Sequence, residues 1–123
     1  MNGVRLAAIA AATITAGTAA AQSLQLNGIY GNETGCRVHA GAAYTSDDRF
    51  LLWPDRYEAH ESGCEFVAVH AASDGAQLAT ALCEGEGSYW TQTLIVSPPD
   101  PENDSLLVFF GDGNLWHEVK PCS

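Results

Sequence analysis

Three glutamates and one histidine are the residues whose chemistry could be combined at one place in this chain: Glu61, Glu84, Glu86 and His60. Two carboxylates at short range can bind a cation, or form an acid–base pair in which one pKa is raised. Such a pair needs a fold that brings residues 60–62 beside residues 84–86. Solvated glutamates at the end of a hairpin are the simpler interpretation of the same pattern.

The second set of reactive residues is the four cysteines, Cys36, Cys64, Cys83 and Cys122. None of them forms a C-x-x-C pair, so the spacing does not favour a zinc site. Cysteines in an exported protein normally pair as disulfides, and four cysteines allow three connectivities.

Residues 1–21 have the composition of a secretion signal. Arg5 is followed by an apolar stretch over residues 6–16 and by small residues at 19–21. The apolar stretch is shorter than the roughly 20 residues of a transmembrane helix. We expect cleavage after Ala21 and a soluble periplasmic or secreted product, residues 22–123, which is long enough for a single domain.

The expected mature chain is strongly acidic. It carries four basic residues against fifteen acidic ones, a formal charge of −11. Nucleic acids and anionic membrane surfaces would repel such a chain, so we expect neither as a partner. A cationic protein is electrostatically permitted, although acidity also serves solubility alone.

The elements that must position these residues are short strands. Turn residues recur every eight to twelve positions, and β-branched and aromatic residues lie between them, which is typical of an all-β sandwich or barrel. The pattern predicts strands over 26–31, 49–53, 56–61, 64–71, 76–83, 88–96, 105–110 and 114–119. We therefore predict a small antiparallel meander or barrel of about eight strands, lipocalin-like or lysozyme-inhibitor-like, with a long loop over 36–48.

The middle hairpin relates the cysteines to the glutamates. If residues 72–75 form a four-residue turn, Ala71 faces Ala76 and Cys64 lies opposite Cys83, within the distance that a disulfide spans. Cys36 would then pair with Cys122. A turn longer by one residue would change this register, so the other connectivities stay open. The same register places Glu61 opposite Glu86.

The remaining candidates for catalysis or metal binding are weak. His39, His60, His70 and His117 lack the spacing of paired ligands. Asp100, Glu102 and Asp104 resemble the opening of a calcium loop, but Ser105 and Gly111 stand where such a loop needs glycine and glutamate. No serine lies in a G-x-S-x-G context. We predict no metal, no cofactor and no enzyme activity, with a small-ligand or metal-binding barrel as an alternative.

A binding surface is predicted where the two acidic segments meet. Two glycines within four residues allow close approach of a partner, the glutamates attract a cation, and the aromatic residues supply an anchor. The predicted rim consists of Glu61, Ser62, Glu84, Glu86, Ser88, Tyr89 and Trp90.

The mature chain resembles a group of small secreted alphaproteobacterial proteins of unknown function. The resemblance rests on Gly28-Ile29-Tyr30-Gly31, Glu61-Ser62-Gly63-Cys64 and Cys83-Glu84-Gly85-Glu86-Gly87, with Trp90 and Cys122. In similar sequences the two middle cysteines can be absent together, which implies that Cys64 pairs with Cys83.

A looser resemblance is to the periplasmic inhibitors of c-type lysozyme, which are small secreted β-barrels. Their inhibitory Ser-Gly loop has a counterpart in Glu86-Gly87-Ser88-Tyr89, but their mid-chain lysine does not, because the only lysine is Lys120. We expect a non-catalytic binding or structural barrel, with lysozyme inhibition as the alternative function.

The first testable prediction concerns export. Expressed with its own leader in a bacterial host, the protein should accumulate in the periplasm with Gln22 as its first residue, because the small residues at 19–21 suit signal peptidase. The intact mass and N-terminal sequence of the periplasmic protein measure this. A product that keeps residues 1–21 would contradict it.

Overall fold

This computed structural model describes residues 22–43 and 46–123. They form eight antiparallel strands, one short helix and the loops that connect them. In chain order they are β1 (Tyr30–Gly31), α1 (Glu33–His39), β2 (Phe50–Leu52), β3 (Arg56–Ala59), β4 (Ser62–Ala71), β5 (Gln77–Gly85), β6 (Ser88–Val96), β7 (Leu106–Phe110) and β8 (Leu115–Pro121). Each strand pairs with the next and β1 also pairs with β8, so the sheet closes into a barrel. The predicted antiparallel barrel is confirmed, whereas the predicted signal sequence lies outside the described residues.

Side chains fill the interior of the barrel. Along β5, Gln77, Ala79, Ala81 and Cys83 are buried, and the side chains between them face outward, as the two-residue period of a strand requires. The largest fully buried side chain is that of Tyr57. An eight-stranded barrel is just wide enough for its own side chains to fill it.

The segment between β1 and β2 contains a helix that the sequence pattern did not predict. Asn32 is its N-cap, since the side-chain Oδ1 accepts a hydrogen bond from the Gly35 backbone N–H at 2.8 Å and another from that of Phe50 at 3.0 Å. A side chain at Gly35 would collide with the Phe50 carbonyl. The predicted loop over 36–48 is therefore wrong for its first residues, because α1 is too short to show an apolar period and its interior glycine resembles a loop residue.

The first strand is shorter than predicted. Only Tyr30–Gly31 pair as β1, because Gly28 has a φ of 103° and interrupts the extended backbone predicted over 26–31. The preceding residues pack across one end of the barrel instead. Leu24 is 3% exposed and its backbone N–H donates to the Pro54 carbonyl at 2.7 Å.

The β4–β5 hairpin differs from the predicted register at its turn. Ala71 lies opposite Gln77 rather than Ala76, so the turn is one residue longer than predicted. A bulge between Phe66 and Ala68 then shifts the pairing by one residue. The two differences cancel, and Cys64 lies opposite Cys83 as predicted.

Both predicted disulfides are confirmed. Cys64 bonds to Cys83 with the Cα atoms 4.0 Å apart, and Cys36 of α1 bonds to Cys122 with a Cα separation of 5.2 Å. The first bond links neighbouring strands inside the barrel, whereas the second ties the helix to the end of β8. Among residues 22–43 and 46–123, no helix is long and apolar enough to cross a membrane.

The two disulfides should differ in their contribution to stability. They span 86 and 19 residues, so restriction of the unfolded chain predicts losses of about 4.5 kcal/mol for Cys36→Ala/Cys122→Ala and about 3 kcal/mol for Cys64→Ala/Cys83→Ala. Guanidinium unfolding of the two double variants and the parent measures the free energies. A larger loss for the Cys64/Cys83 variant would show that the packing of its buried sulfurs outweighs loop closure.

Candidate functional site

Two tight turns at one end of the barrel carry Glu61 and Glu86. Ala59 pairs with Ser62, so the β3–β4 turn consists of His60 and Glu61, not of residues 62 and 63, which separate the predicted strands 56–61 and 64–71. Gly85 pairs with Ser88, so the β5–β6 turn consists of Glu86 and Gly87.

Both glutamates occupy the left-handed region of backbone space. The φ angles are 55° for Glu61 and 49° for Glu86. Gly87, which follows Glu86, has a φ of 79°, and positive φ at both central residues matches the right-handed twist of the flanking strands. A side chain with a Cβ at positive φ is uncommon and costs conformational energy. Two such residues lie at this end of the barrel.

The two carboxyl groups meet. A hydrogen bond between the side chains of Glu61 and Glu86, together with their charge repulsion, raises the pKa of Glu86 above its ordinary value. The Nε2 atom of His60 lies 3.4 Å from a carboxylate oxygen of Glu61 and 3.7 Å from one of Asp47. We call Glu61 and Glu86 the acidic tip.

Gly85 is the residue that lets the two turns approach. A Cβ at this position would collide with the backbone carbonyl of Glu61 and would lie 3.1 Å from Cη2 of Trp90. The β3–β4 turn therefore leans over the end of β5. Larger residues at position 85 would push Glu61 away from Glu86.

The remaining residues of the predicted rim do not form one surface. Tyr89 pairs with Glu84, and both side chains face outward. Trp90 pairs with the buried Cys83 and faces the barrel end that carries the acidic tip, which we call the mouth. Successive residues of a strand point to opposite faces, so the two aromatic rings cannot anchor the same partner together.

The two serines of the predicted rim are also separated. Ser62 is half-buried and lines a cleft of about 330 Å³ at the mouth, whereas Ser88 is exposed at the start of β6.

Outside the barrel, β3, β4 and β5 form a cleft of about 660 Å³, which we call the outer groove. Its polar walls include the carboxylates of Asp55, Glu58, Glu65 and Glu84, and its apolar surface includes Leu82 and Tyr89. One guanidinium, that of Arg56, also lines it and lies 4.1 Å from the centre of the Trp53 ring. Within the described part of the chain, no ion pair engages a carboxylate of this groove. The groove therefore presents an excess of negative charge.

The cleft at the mouth brings together residues that the sequence did not connect. Asp47, Asp48 and His117 line it, and His117 stacks on Phe50 with ring centres 4.5 Å apart. Burial lowers the pKa of His117, although the nearby Asp48 carboxylate opposes this. No sequence signal relates these residues, because the β7–β8 bulge between Val108 and Phe109 sets the direction of His117.

Neither a group of metal ligands nor a comparison with known proteins assigns a function to this site. Among the described residues, no three His, Cys, Asp or Glu side chains are grouped as metal ligands. No protein-family model, curated protein or solved structure matches this chain.

The acidic tip predicts a pH-dependent effect on stability. The folded chain holds the Glu86 proton more tightly than the unfolded chain does, so this contribution is present below the ordinary pKa of a glutamate and is lost as the pH rises through the raised pKa. Glu86→Gln removes the repulsion at neutral pH. Its Tm should exceed that of the parent at pH 7, and the difference should shrink in acid.

Glu118→Gln on β8 is the matched control, because it removes the same charge from an exposed strand position. Thermal melts of the three proteins across pH 3–8 measure the effect. An equal gain for both variants at every pH would show that net charge, and not contact with Glu61, is the cause.

Proposed function

We propose that this protein is an exported, non-catalytic binding barrel that engages a cationic protein through the acidic tip and the outer groove. The observation that carries the proposal is the juxtaposition of Glu61 and Glu86 at positive φ. Two like charges held together on strained backbone oppose stability, and strain of this kind is concentrated at sites where it serves function. A lysine or arginine of a partner would relieve the repulsion.

The outer groove extends the same electrostatic surface. Its carboxylates lie next to the exposed rings and chains of Tyr89 and Leu82. Acidic groups beside an exposed aromatic residue favour a protein partner, because charge steers the encounter and the aromatic residue supplies contact area.

A ligand inside the barrel has less support. The interior is occupied by fully buried side chains that include Phe50, Tyr57 and Leu94. The outer surface is therefore where we place binding. Export fits the two disulfides, which persist in oxidising compartments.

Inhibition of c-type lysozyme is the second candidate. The Glu86-Gly87 turn projects from the barrel and is followed at once by Ser88 and Tyr89, and the Cys36–Cys122 bond joins an early to a late cysteine. Lys120 does not supply the missing hairpin cation, since it pairs with Gly31 in the body of the sheet.

A c-type lysozyme serves as a cationic probe for both candidates. We expect the mature chain to bind it in calorimetry at low salt, with an affinity that falls as salt is raised. Glu61→Gln/Glu86→Gln should weaken binding by about tenfold, which corresponds to about 1.4 kcal/mol. A lytic assay with the same proteins tests inhibition.

Glu118→Gln is again the control, and it should bind as the parent does. If it weakens binding as much as the double variant, attraction is unspecific and the acidic tip is not the site. Binding without loss of lytic activity would exclude the inhibitor and retain the binding barrel.

A further inference from the structure

The outward face of β4, β5 and β6 carries large apolar side chains that remain exposed. Val67, Leu78 and Leu82 are 48%, 43% and 46% exposed, and Tyr89 is 71% exposed. These strands are the longest in the barrel, with 10, 9 and 9 residues. Leu78 and Leu82 share one side of β5, the middle strand of the three. We call Val67, Leu78, Leu82 and Tyr89 the docking face.

The β4 bulge adds to this face. Val67 is the residue that the bulge leaves without a partner on β5, between the inward-facing Phe66 and the half-buried Ala68. Its side chain points outward beside β5. Single exposed apolar residues are common on proteins, but four of them on three adjacent strands favour a protein contact.

Gly63 opens a gap at the edge of the docking face. Its φ is not positive, and a Cβ built on it would meet no atom within 4 Å. Neither backbone conformation nor packing therefore requires glycine here, although glycine within a strand weakens it. Glycine at such a position often marks a place where another chain approaches closely.

Two carboxylates flank this gap. Gly63 pairs with Glu58 on one side and with Glu84 on the other. Because neighbouring strands lie about 4.8 Å apart, the two glutamates stand about 10 Å apart across the glycine. Glu65 lies two residues further along β4 and lines the same groove. A lysine or arginine side chain fits between them in size and in charge.

We propose that the docking face binds a protein segment that presents apolar side chains next to a lysine or arginine. The apolar side chains cover Val67, Leu78 and Leu82, and the cationic side chain enters the gap at Gly63. Charge complementarity identifies the occupant, since the acidic border would repel a second copy of this chain, whose formal charge is also negative. This inference rests on the proposed binding of a cationic protein and names the face and the kind of segment.

A peptide with the repeat leucine–serine–lysine–serine is the probe, because in an extended form it presents leucine and lysine side chains on the same face. Titrated into the labelled mature chain, it should shift the amide resonances of residues 63, 67, 78 and 82. A peptide of the same repeat with glycine in place of each leucine carries the same charge without the apolar side chains and should bind more weakly.

Filling the gap provides the decisive variant. Gly63→Val should fold and melt no lower than the parent, since valine suits a strand and nothing obstructs it. It should weaken binding of the leucine–lysine peptide by about tenfold, and Gly63→Ala should weaken binding less. Leu82→Gln should weaken binding likewise, whereas Leu115→Gln, at an exposed leucine of β8, should not.

Three results would overturn the inference. Unchanged affinity in Gly63→Val and Leu82→Gln would show that the docking face is not used. Shifts confined to residues 61 and 86 would locate binding at the acidic tip, so that binding of a cationic protein by the tip stands, and the docking face and the outer groove fail. A dimer in light scattering that Leu82→Gln dissociates would identify a second copy as the occupant.

Discussion

Closure of the barrel depends on a strand of two residues. Among the described residues, Tyr30 and Gly31 are the two that pair with both β8 and β2, and so few pairs would not close a sheet by themselves. The Cys36–Cys122 bond holds the two sides together from the adjacent helix. Gly31 makes this possible, because a Cβ there would lie only 3.1 Å from the Cys36 sulfur and 3.0 Å from the Phe50 carbonyl. Helix, disulfide and first strand therefore form one unit on which the closed sheet depends.

The short strand β1 closes one side of the barrel, and the long strands lie on the opposite side. β4, β5 and β6 extend well beyond their neighbours, and their turns carry Glu61 and Glu86 to one end of the barrel. The inward side chains of these strands fill the core, including the disulfide between Cys64 and Cys83. Their outward side chains do not pack in the core, so the outer face can carry carboxylates and leucines that a purely structural barrel does not need. The physical separation of the two faces is what allows a filled core and the proposed binding surface to be made from the same strands.

Much of this architecture follows from local sequence, and the exceptions have physical causes. The alternation in β5 and the turn residues at Gly75, Gly87 and Gly113 are short-range signals, and the eight strands follow from them. The helix was missed because its stability comes from the Asn32 cap and from contact with β2, neither of which produces a periodic pattern. The pairing of Cys64 with Cys83 was predicted from a turn that is in fact one residue longer. The bulge at Val67 restores the register, and nothing in the sequence indicates it.

Local sequence is sufficient to predict the fold class, the acidity and the residues from which the acidic tip is made. Strand period, turn chemistry and charge are properties of neighbouring residues, so they can be recognised without a structure. Strand pairing in the folded barrel makes Trp90 face the mouth and Tyr89 the outer groove, and it leaves Gly63 open between two glutamates. Which face a side chain occupies depends on register, and register depends on bulges and turn lengths that change by a single residue. The candidate binding surface was therefore set by strand pairing rather than by composition.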